Sequence, residues 1–176
     1  MRWRGSEITG RGKFLKLILV RHGETYWNRE RRVQGGGSDI GLSEAGLKQA
    51  DGLAVALKNE NVTVIISSPL KRALVTAKAI ARQHRLPVII NDGLKEIAVG
   101  ELEGLFVSDL STTFTQHLMG WWQPGGSGRL PGGESFLELQ ERSWAAIKDL
   151  LAGHKDGTVV AVSHYFVILA IIFKAL

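Results

Sequence analysis

At 176 residues and 44% hydrophobic composition, the chain can bury one substantial core and is too short for two ordinary domains. It has no cysteine, which excludes a disulfide framework and a cysteine-based zinc site while leaving the compartment open. The formal charge is +5, but Arg2, Arg4, Arg11 and Lys13 against Glu7 supply +3 of it, and a body of only +2 argues against a nucleic-acid-binding surface and fits a local anion pocket.

Residues 1–14 are basic, with no apolar run of signal-peptide length and no small-residue cleavage site, so secretion finds no support and a cytoplasmic protein is expected. They read as a disordered lead-in, or as a stretch added by cloning or by a misplaced start codon. Residues 15–176 read as a single domain. Leu15 to Val20 is a short apolar run that stops at Arg21-His22-Gly23, the pattern of a buried strand entering a loop. From Ser43 the pattern turns helical, with Leu47, Ala50, Ala54 and Leu57 on one face. Val62 to Ser67 is β-branched and short, hence a second strand, and Ser68-Pro69 can cap and start a helix running to about Gln83.

Val88 to Ile90 supplies a third strand. Residues 92–134 are Gly-rich and carry Trp121 and Trp122, read as core anchors ahead of pocket-lining rings, with a helical stretch around Val107 to Met119. Ser135 and Glu138 have capping-box spacing and open an amphipathic helix to about Leu151. Thr158 to Val162 is the fourth strand, followed by a helix from about Phe166. The apolar run Thr158 to Leu176 approaches membrane-spanning length, but Ser163 and His164 interrupt it, so strand, turn and packed helix are expected and no membrane partner. Alternating strands and helices predict an α/β, three-layer sandwich: a mainly parallel sheet with helices on both faces.

In such sheets ligands collect at the carboxyl ends of the strands. Arg21 and His22 follow the first strand, Ser67, Ser68 and Arg72 the second, and Ser163 and His164 the fourth; parallel neighbours would bring them to one rim. Two arginines and two histidines make an anion site, because the planar guanidinium offers two parallel charge-assisted hydrogen bonds to a phosphoryl group. The cations disfavour imidazolium, which leaves a neutral His22 with a lone pair able to attack phosphorus. Arg72 in a first helical turn would add that helix's amides to the cradle. Taken singly, His22 is more often a loop or core residue and Arg72 a solvated charge. His84, His117 and His154 keep that bland reading, and no HExxH or HxH spacing suggests a metal.

These residues carry a resemblance. Leu19-Val20-Arg21-His22-Gly23-Glu24-Thr25 with Asn28 resembles the signature of the histidine phosphatase superfamily, also called the phosphoglycerate mutase-like family. Gln34-Gly35, Asp39 and Leu42-Ser43 resemble its substrate-side loop, and Ser67 to Ala73 with Thr76-Ala77 its second arginine motif. Leu94 to Ile97, Gly100 and Glu103-Gly104 resemble its acid-bearing segment, Gly133-Glu134-Ser135 a later helix start, and Val162-Ser163-His164 its second histidine.

The resemblance implies roles position by position. His22 is the nucleophile, Arg21 and Arg72 are the phosphate clamp, and His164 is a further phosphate-binding or transition-state-stabilising group. Asn28, Gln34 and Gly35 are substrate-binding positions, and Glu96 is the proton donor, with Glu24, Glu101 and Glu103 as rivals. Its pKa should rise beside a bound phosphate. No metal or other cofactor is implied, and the partner is a small-molecule phosphate ester.

Tyr165-Phe166 departs from the small residue usual after the second histidine; either the Tyr165 amide reaches the phosphate or its ring narrows the site. The chain also ends before the family's usual terminal strand, and an uncovered edge or helix face could favour a homodimer. The length favours a phosphatase, possible relatives including the alpha-ribazole phosphatases, over a mutase. A non-catalytic phospholigand-binding scaffold is the rival from another class.

Overall fold

A computed structural model describes residues 14–110, 119 and 128–176. β1 (Leu15–Arg21), β2 (Val62–Ser67), β3 (Val88–Ile90) and β4 (Gly157–Ser163) form one sheet in the order β1-β4-β2-β3, with every pairing parallel. β4 has neighbours on both edges and cover on both faces, which is why its Val159 to Val162 run is continuously apolar.

Side chains alternate across the pleat. Val20, Ile65, Val160 and Val162 face α2 (Glu44–Ala56) and α3 (Lys71–His84), where Ala50, Ala54, Ala73 and Ala77 allow close approach. Ile66 and Ala161 face α4 (Phe136–Ala152) and α5 (Tyr165–Ala175) through Leu139, Ile147, Val167 and Ile171. Each fully buried Ile, Leu or Val contributes roughly 1.5–3 kcal/mol, and two such layers on one sheet make the three-layer α/β sandwich. Among the described residues no helix is long and apolar enough to cross a membrane.

Several local expectations shift. α3 begins at Lys71, not at Pro69, and its N-cap Leu70 offers no side-chain bond. Asp39 Oδ1 accepts from the Lys71 amide at 2.6 Å and Ser68 Oγ from the Leu70 amide at 3.3 Å. With the Ala73 amide donating to the Leu70 carbonyl at 2.9 Å, the amides of Leu70, Lys71 and Ala73 are spent within the protein, which narrows the expected contribution of this helix start to an anion cradle.

On α2, Leu47 is exposed and Gly46 is buried in its place. A Cβ at Gly46 would lie 2.0 Å from the Glu24 carbonyl oxygen, so only glycine lets the helix abut the loop after β1. A four-residue helix, α1 (Tyr26–Arg29), closed by a Thr25–Asn28 capping box, is too short to show periodicity in sequence. Val107–Asp109 is a single 3-10 turn. Residues 111–118 of that expected helix, Trp121, Trp122 and residues 1–13 lie outside the described residues.

Candidate active site

The parallel ladder continues past the strand ends. The His22 amide donates to the Ser163 carbonyl at 3.1 Å and the Ser68 amide to the Val162 carbonyl at 3.0 Å. The loops after β1, β2 and β4 therefore lie side by side, and the His22 and His164 ring centroids come within 5.1 Å.

His22 Nδ1 stands 2.7 Å from the Gly23 carbonyl oxygen. A carbonyl can only accept, so Nδ1 carries the proton and the neutral ring's lone pair sits on Nε2. Burial lowers the His22 pKa to about 4, with Arg72 and Arg21 adding to the shift and the Gly23 carbonyl opposing it. Desolvation, more than the neighbouring cations expected from the sequence, keeps the ring neutral. Thr76 Oγ1 accepts from the Gly23 amide at 3.3 Å and donates to the Arg72 carbonyl at 2.8 Å, so α3 pins the loop that carries His22.

Arg72 is fully buried. Nη1 donates to the Ser38 carbonyl (2.9 Å), Nη2 to the Gly35 carbonyl (2.8 Å) and Nε to His164 Nδ1 (3.3 Å). Three of five N–H groups are thus used, and among the described residues no carboxylate forms an ion pair with the guanidinium. A buried cation whose direct partners are all neutral, with the Glu96, Glu103 and Asp39 carboxylates offsetting its burial only from further away, is prepared for an anionic ligand that would supply a contacting counter-charge.

Because Arg72 Nε must donate, His164 Nδ1 is unprotonated, and Nε2–H donates to Ser68 Oγ at 2.8 Å. Burial first, then Arg72, His22, Arg142 and Arg21, hold the His164 pKa well below its ordinary value. Both ring nitrogens are occupied, and the ring braces Arg72. Arg21 is exposed at the end of β1, with its guanidinium 5.5 Å from the centroid of the half-exposed Tyr165 ring.

Glu96 is buried, with Oε1 accepting from the Ile97 amide at 2.9 Å and Oε2 from the Phe166 amide at 3.4 Å. Burial raises its pKa to about 7 against the opposing pull of those amides and of Arg72 and Arg21. The rise therefore needs no bound phosphate, and the carboxyl is not a solvated loop group. Among its rivals, Glu103 is spent on the Gly35 amide (2.9 Å), the Gly37 amide (3.3 Å) and Ser38 Oγ (2.6 Å), and Glu24 accepts from Ser43 Oγ at 2.6 Å.

An open cavity of about 380 Å³ is lined by Arg21, His22, Glu24, Asn28 and Gln49. Asn28 Oδ1 accepts from the Thr25 amide at 3.0 Å, which leaves its NH2 for a ligand. Gln34 Oε1 accepts from Thr25 Oγ1 at 2.8 Å, and its buried Nε2 has no partner among the described residues. Gly35 has both main-chain groups committed, its amide to Glu103 and its carbonyl to Arg72.

Sequence reasoning missed Ser38 and the loop-holding part of Glu103, Thr76 as a brace, and Arg142 altogether. Glu103 and Thr76 lay inside the quoted motifs, so position marked them without their bonds. Nothing in the sequence singled out Arg142 from the other cations of an amphipathic helix.

Fold and site together define a class: a phosphomonoesterase built as an α/β sandwich, with paired arginines, paired histidines and a buried carboxyl at the carboxyl ends of its strands. The chain belongs to the histidine phosphatase superfamily (branch 1), whose family model matches residues 17–176. It is 39% identical over 150 residues to phosphoserine phosphatase 1 of Hydrogenobacter thermophilus, covering 85% of this chain and 71% of that one. It is equally identical, again over 150 residues, to a probable phosphoglycerate mutase of Proteus mirabilis, covering 85% and 69%.

Among solved structures, Entamoeba histolytica phosphoserine phosphatase in complex with 3-phosphoglyceric acid superposes with a TM-score of 0.76 at 34% identity, covering 91% of this chain and 79% of that one. A structure from Escherichia coli provisionally described as an alpha-ribazole-5'-P phosphatase gives a TM-score of 0.78 at 27% identity, covering 91% and 78%.

Proposed function

We propose that this chain hydrolyses a small phosphate monoester, without a metal ion, through a phosphohistidine formed at His22. In the first displacement the His22 Nε2–P bond forms as the ester P–O bond breaks, and Glu96 gives its proton to the leaving oxygen. In the second, the Glu96 carboxylate takes a proton from the water that attacks phosphorus, the N–P bond breaks and inorganic phosphate leaves. Arg21, Arg72 and the NH2 groups of Asn28 and Gln34 hold the phosphoryl oxygens, and Tyr165 shapes the mouth.

The observation that carries this reading is the tautomer. The Gly23 carbonyl holds the proton on Nδ1 while burial keeps the ring neutral, so a nucleophilic Nε2 sits beside a buried, unpaired guanidinium. The test is turnover of p-nitrophenyl phosphate in EDTA. Wild-type protein is expected to release phosphate, His22→Ala to release none, and acid-sensitive phosphate label to map to His22. Binding without turnover would favour a scaffold.

The leaving group is an alkoxide of a small metabolite. Relatives named phosphoserine phosphatase put O-phosphoserine first in a substrate screen, and alpha-ribazole phosphate stays in it on the strength of the more distant Escherichia coli structure. The Proteus mirabilis relative supports the mutase as the second reading. Incubation with 3-phosphoglycerate separates the two: a phosphatase accumulates free phosphate, a mutase its isomer.

A further inference from the structure

The segment that carries Glu96 has no regular secondary structure beyond a 3-10 turn at Asp92–Leu94, yet every one of its carbonyls from Gly93 to Ala98 has a named donor. Arg142 of α4 supplies three of the six. Its Nη1 donates to the Gly93 and Lys95 carbonyls at 2.8 Å each, and its Nη2 to the Glu96 carbonyl at 3.1 Å. Ser163 Oγ donates to the Leu94 carbonyl (2.7 Å), the Gly36 amide to that of Ile97 (2.8 Å) and the Glu134 amide to that of Ala98 (2.9 Å).

The guanidinium is itself fixed. Nε and Nη2 pair with the two oxygens of Glu134 at 3.0 and 3.1 Å, and Glu134 Oε2 also accepts from the Ala98 amide at 3.0 Å. A planar fork bound on one edge by a carboxylate and on the other by three carbonyls can adopt one orientation only. The Glu96 carboxyl has no comparable hold of its own, since it accepts one good amide bond and one long one. Its place is set by its backbone, and Arg142 holds half of that backbone's carbonyls, the Glu96 carbonyl among them.

We propose that Arg142, locked by Glu134, is a positioning residue for the leaving-group proton, fixing the Gly93–Ala98 strap so that the Glu96 carboxyl meets the ester oxygen. The step it serves is the first displacement, in which the proton passes from Glu96 to that oxygen as the P–O bond breaks and the His22 N–P bond forms. The inference rests on the phosphatase reading above. A group that must act within hydrogen-bond reach loses much of its effect when displaced by about an ångström, which is on the order of 100-fold.

A leaving-group comparison tests this. p-Nitrophenolate departs without a proton, whereas phenolate, whose conjugate acid has a pKa of about 10, needs one. The kcat/KM values for p-nitrophenyl phosphate and phenyl phosphate report the first displacement on two substrates of nearly one shape. In Arg142→Lys and Glu134→Gln the ratio of the two values is expected to rise at least 10-fold over wild type, with p-nitrophenyl phosphate falling less than about 5-fold.

Glu96→Gln should raise the ratio as much as either variant, and adding Arg142→Lys to it should raise it no further. Parallel loss of both substrates in both single variants, or an unchanged ratio with full activity, overturns the proposal. No wild-type turnover of either substrate overturns the phosphatase reading instead, because the variants' ratio is read only against a working enzyme.

Discussion

Glu96 and His22 are buried ionisable groups whose pKa values are displaced in opposite directions, and this sets both the rate and the stability of the protein against pH. The first displacement needs His22 neutral, satisfied above about pH 4, and Glu96 protonated, satisfied below about pH 7. The kcat/KM for phenyl phosphate is therefore expected to be highest between those limits and to fall above pH 7. Glu96→Gln should lose activity roughly 100-fold and lose that alkaline limb with it. A limb that survives unchanged in the variant would assign it to another group.

The stability consequence has its own sign. Glu96 binds its proton more tightly folded than unfolded, so its contribution is full below about pH 4.5 and is lost as pH rises through about 7. His22 binds its proton less tightly folded, so its contribution is lost as pH falls from about 6.5 to 4. Between about pH 4.5 and 6.5 the two slopes cancel. Replacing Glu96 by Gln should accordingly raise stability at pH 8 relative to pH 4, by about 3 kcal/mol for a carboxyl pushed up to about 7, read from urea midpoints at the two pH values.

At the scale of elements, the nucleophile loop depends on a glycine-to-glycine contact with α2. A Cβ at Gly23 would stand 2.4 Å from the Gly46 carbonyl oxygen, and one at Gly46 would stand 2.0 Å from that of Glu24. Gly52, on the same helix, has nothing within 4 Å of its would-be Cβ. The same substitution should then act in opposite directions. Gly46→Ala forces backbone apart and is expected to destabilise by about 1–3 kcal/mol and to lower kcat through His22. Gly52→Ala relieves helical entropy in open space and should stabilise by about 0.5–1 kcal/mol with activity unchanged. Thermal melts and kcat for the pair check both halves; a neutral Gly46→Ala would mean the loop is not held this way.

This contact also marks where the sequence was legible. The strands and the helices after residues 43, 68, 135 and 164 are legible because each is a run of β-branched or apolar residues bounded by turn residues, or a helical apolar repeat that starts near a capping residue. The rim residues could be read because each follows such a strand. Leu47 was misplaced because a helical wheel ranks leucine above glycine, while the fold needed the residue with no side chain against Glu24. Ser68 is legible as a cap and as a rim residue, and it does accept from the Leu70 amide, but its bond to His164, 96 positions away, leaves no mark in the sequence. Arg142 was invisible for the same reason: its three carbonyl partners are 46 to 49 residues distant and carry no side-chain signal.

Over the whole molecule, the layers close around a charge that no side chain directly balances. Arg72 sits at the junction of α3, the Gly35–Ser38 loop and the end of β4, buried, with only carbonyls and an imidazole as partners. Desolvating a guanidinium costs several kcal/mol that its neutral partners and the more distant Glu96, Glu103 and Asp39 carboxylates only partly offset, so an oxyanion in contact with it is stabilising. A ligand that binds only the folded state stabilises it by about 2.7 kcal/mol at 100 times its Kd. For a chain of this size each kcal/mol shifts Tm by roughly 2–4 °C.

Inorganic phosphate or orthovanadate at that excess should therefore raise Tm by about 5–10 °C, against a chloride control of equal ionic strength. In Arg72→Met, which keeps much of the buried bulk and removes the charge, the rise should disappear, while the ligand-free Tm falls because the Gly35 and Ser38 carbonyls and His164 Nδ1 lose their donor. A ligand-induced rise retained in Arg72→Met would mean that the buried cation is satisfied by the fold and that the anion is held by Arg21 at the surface instead.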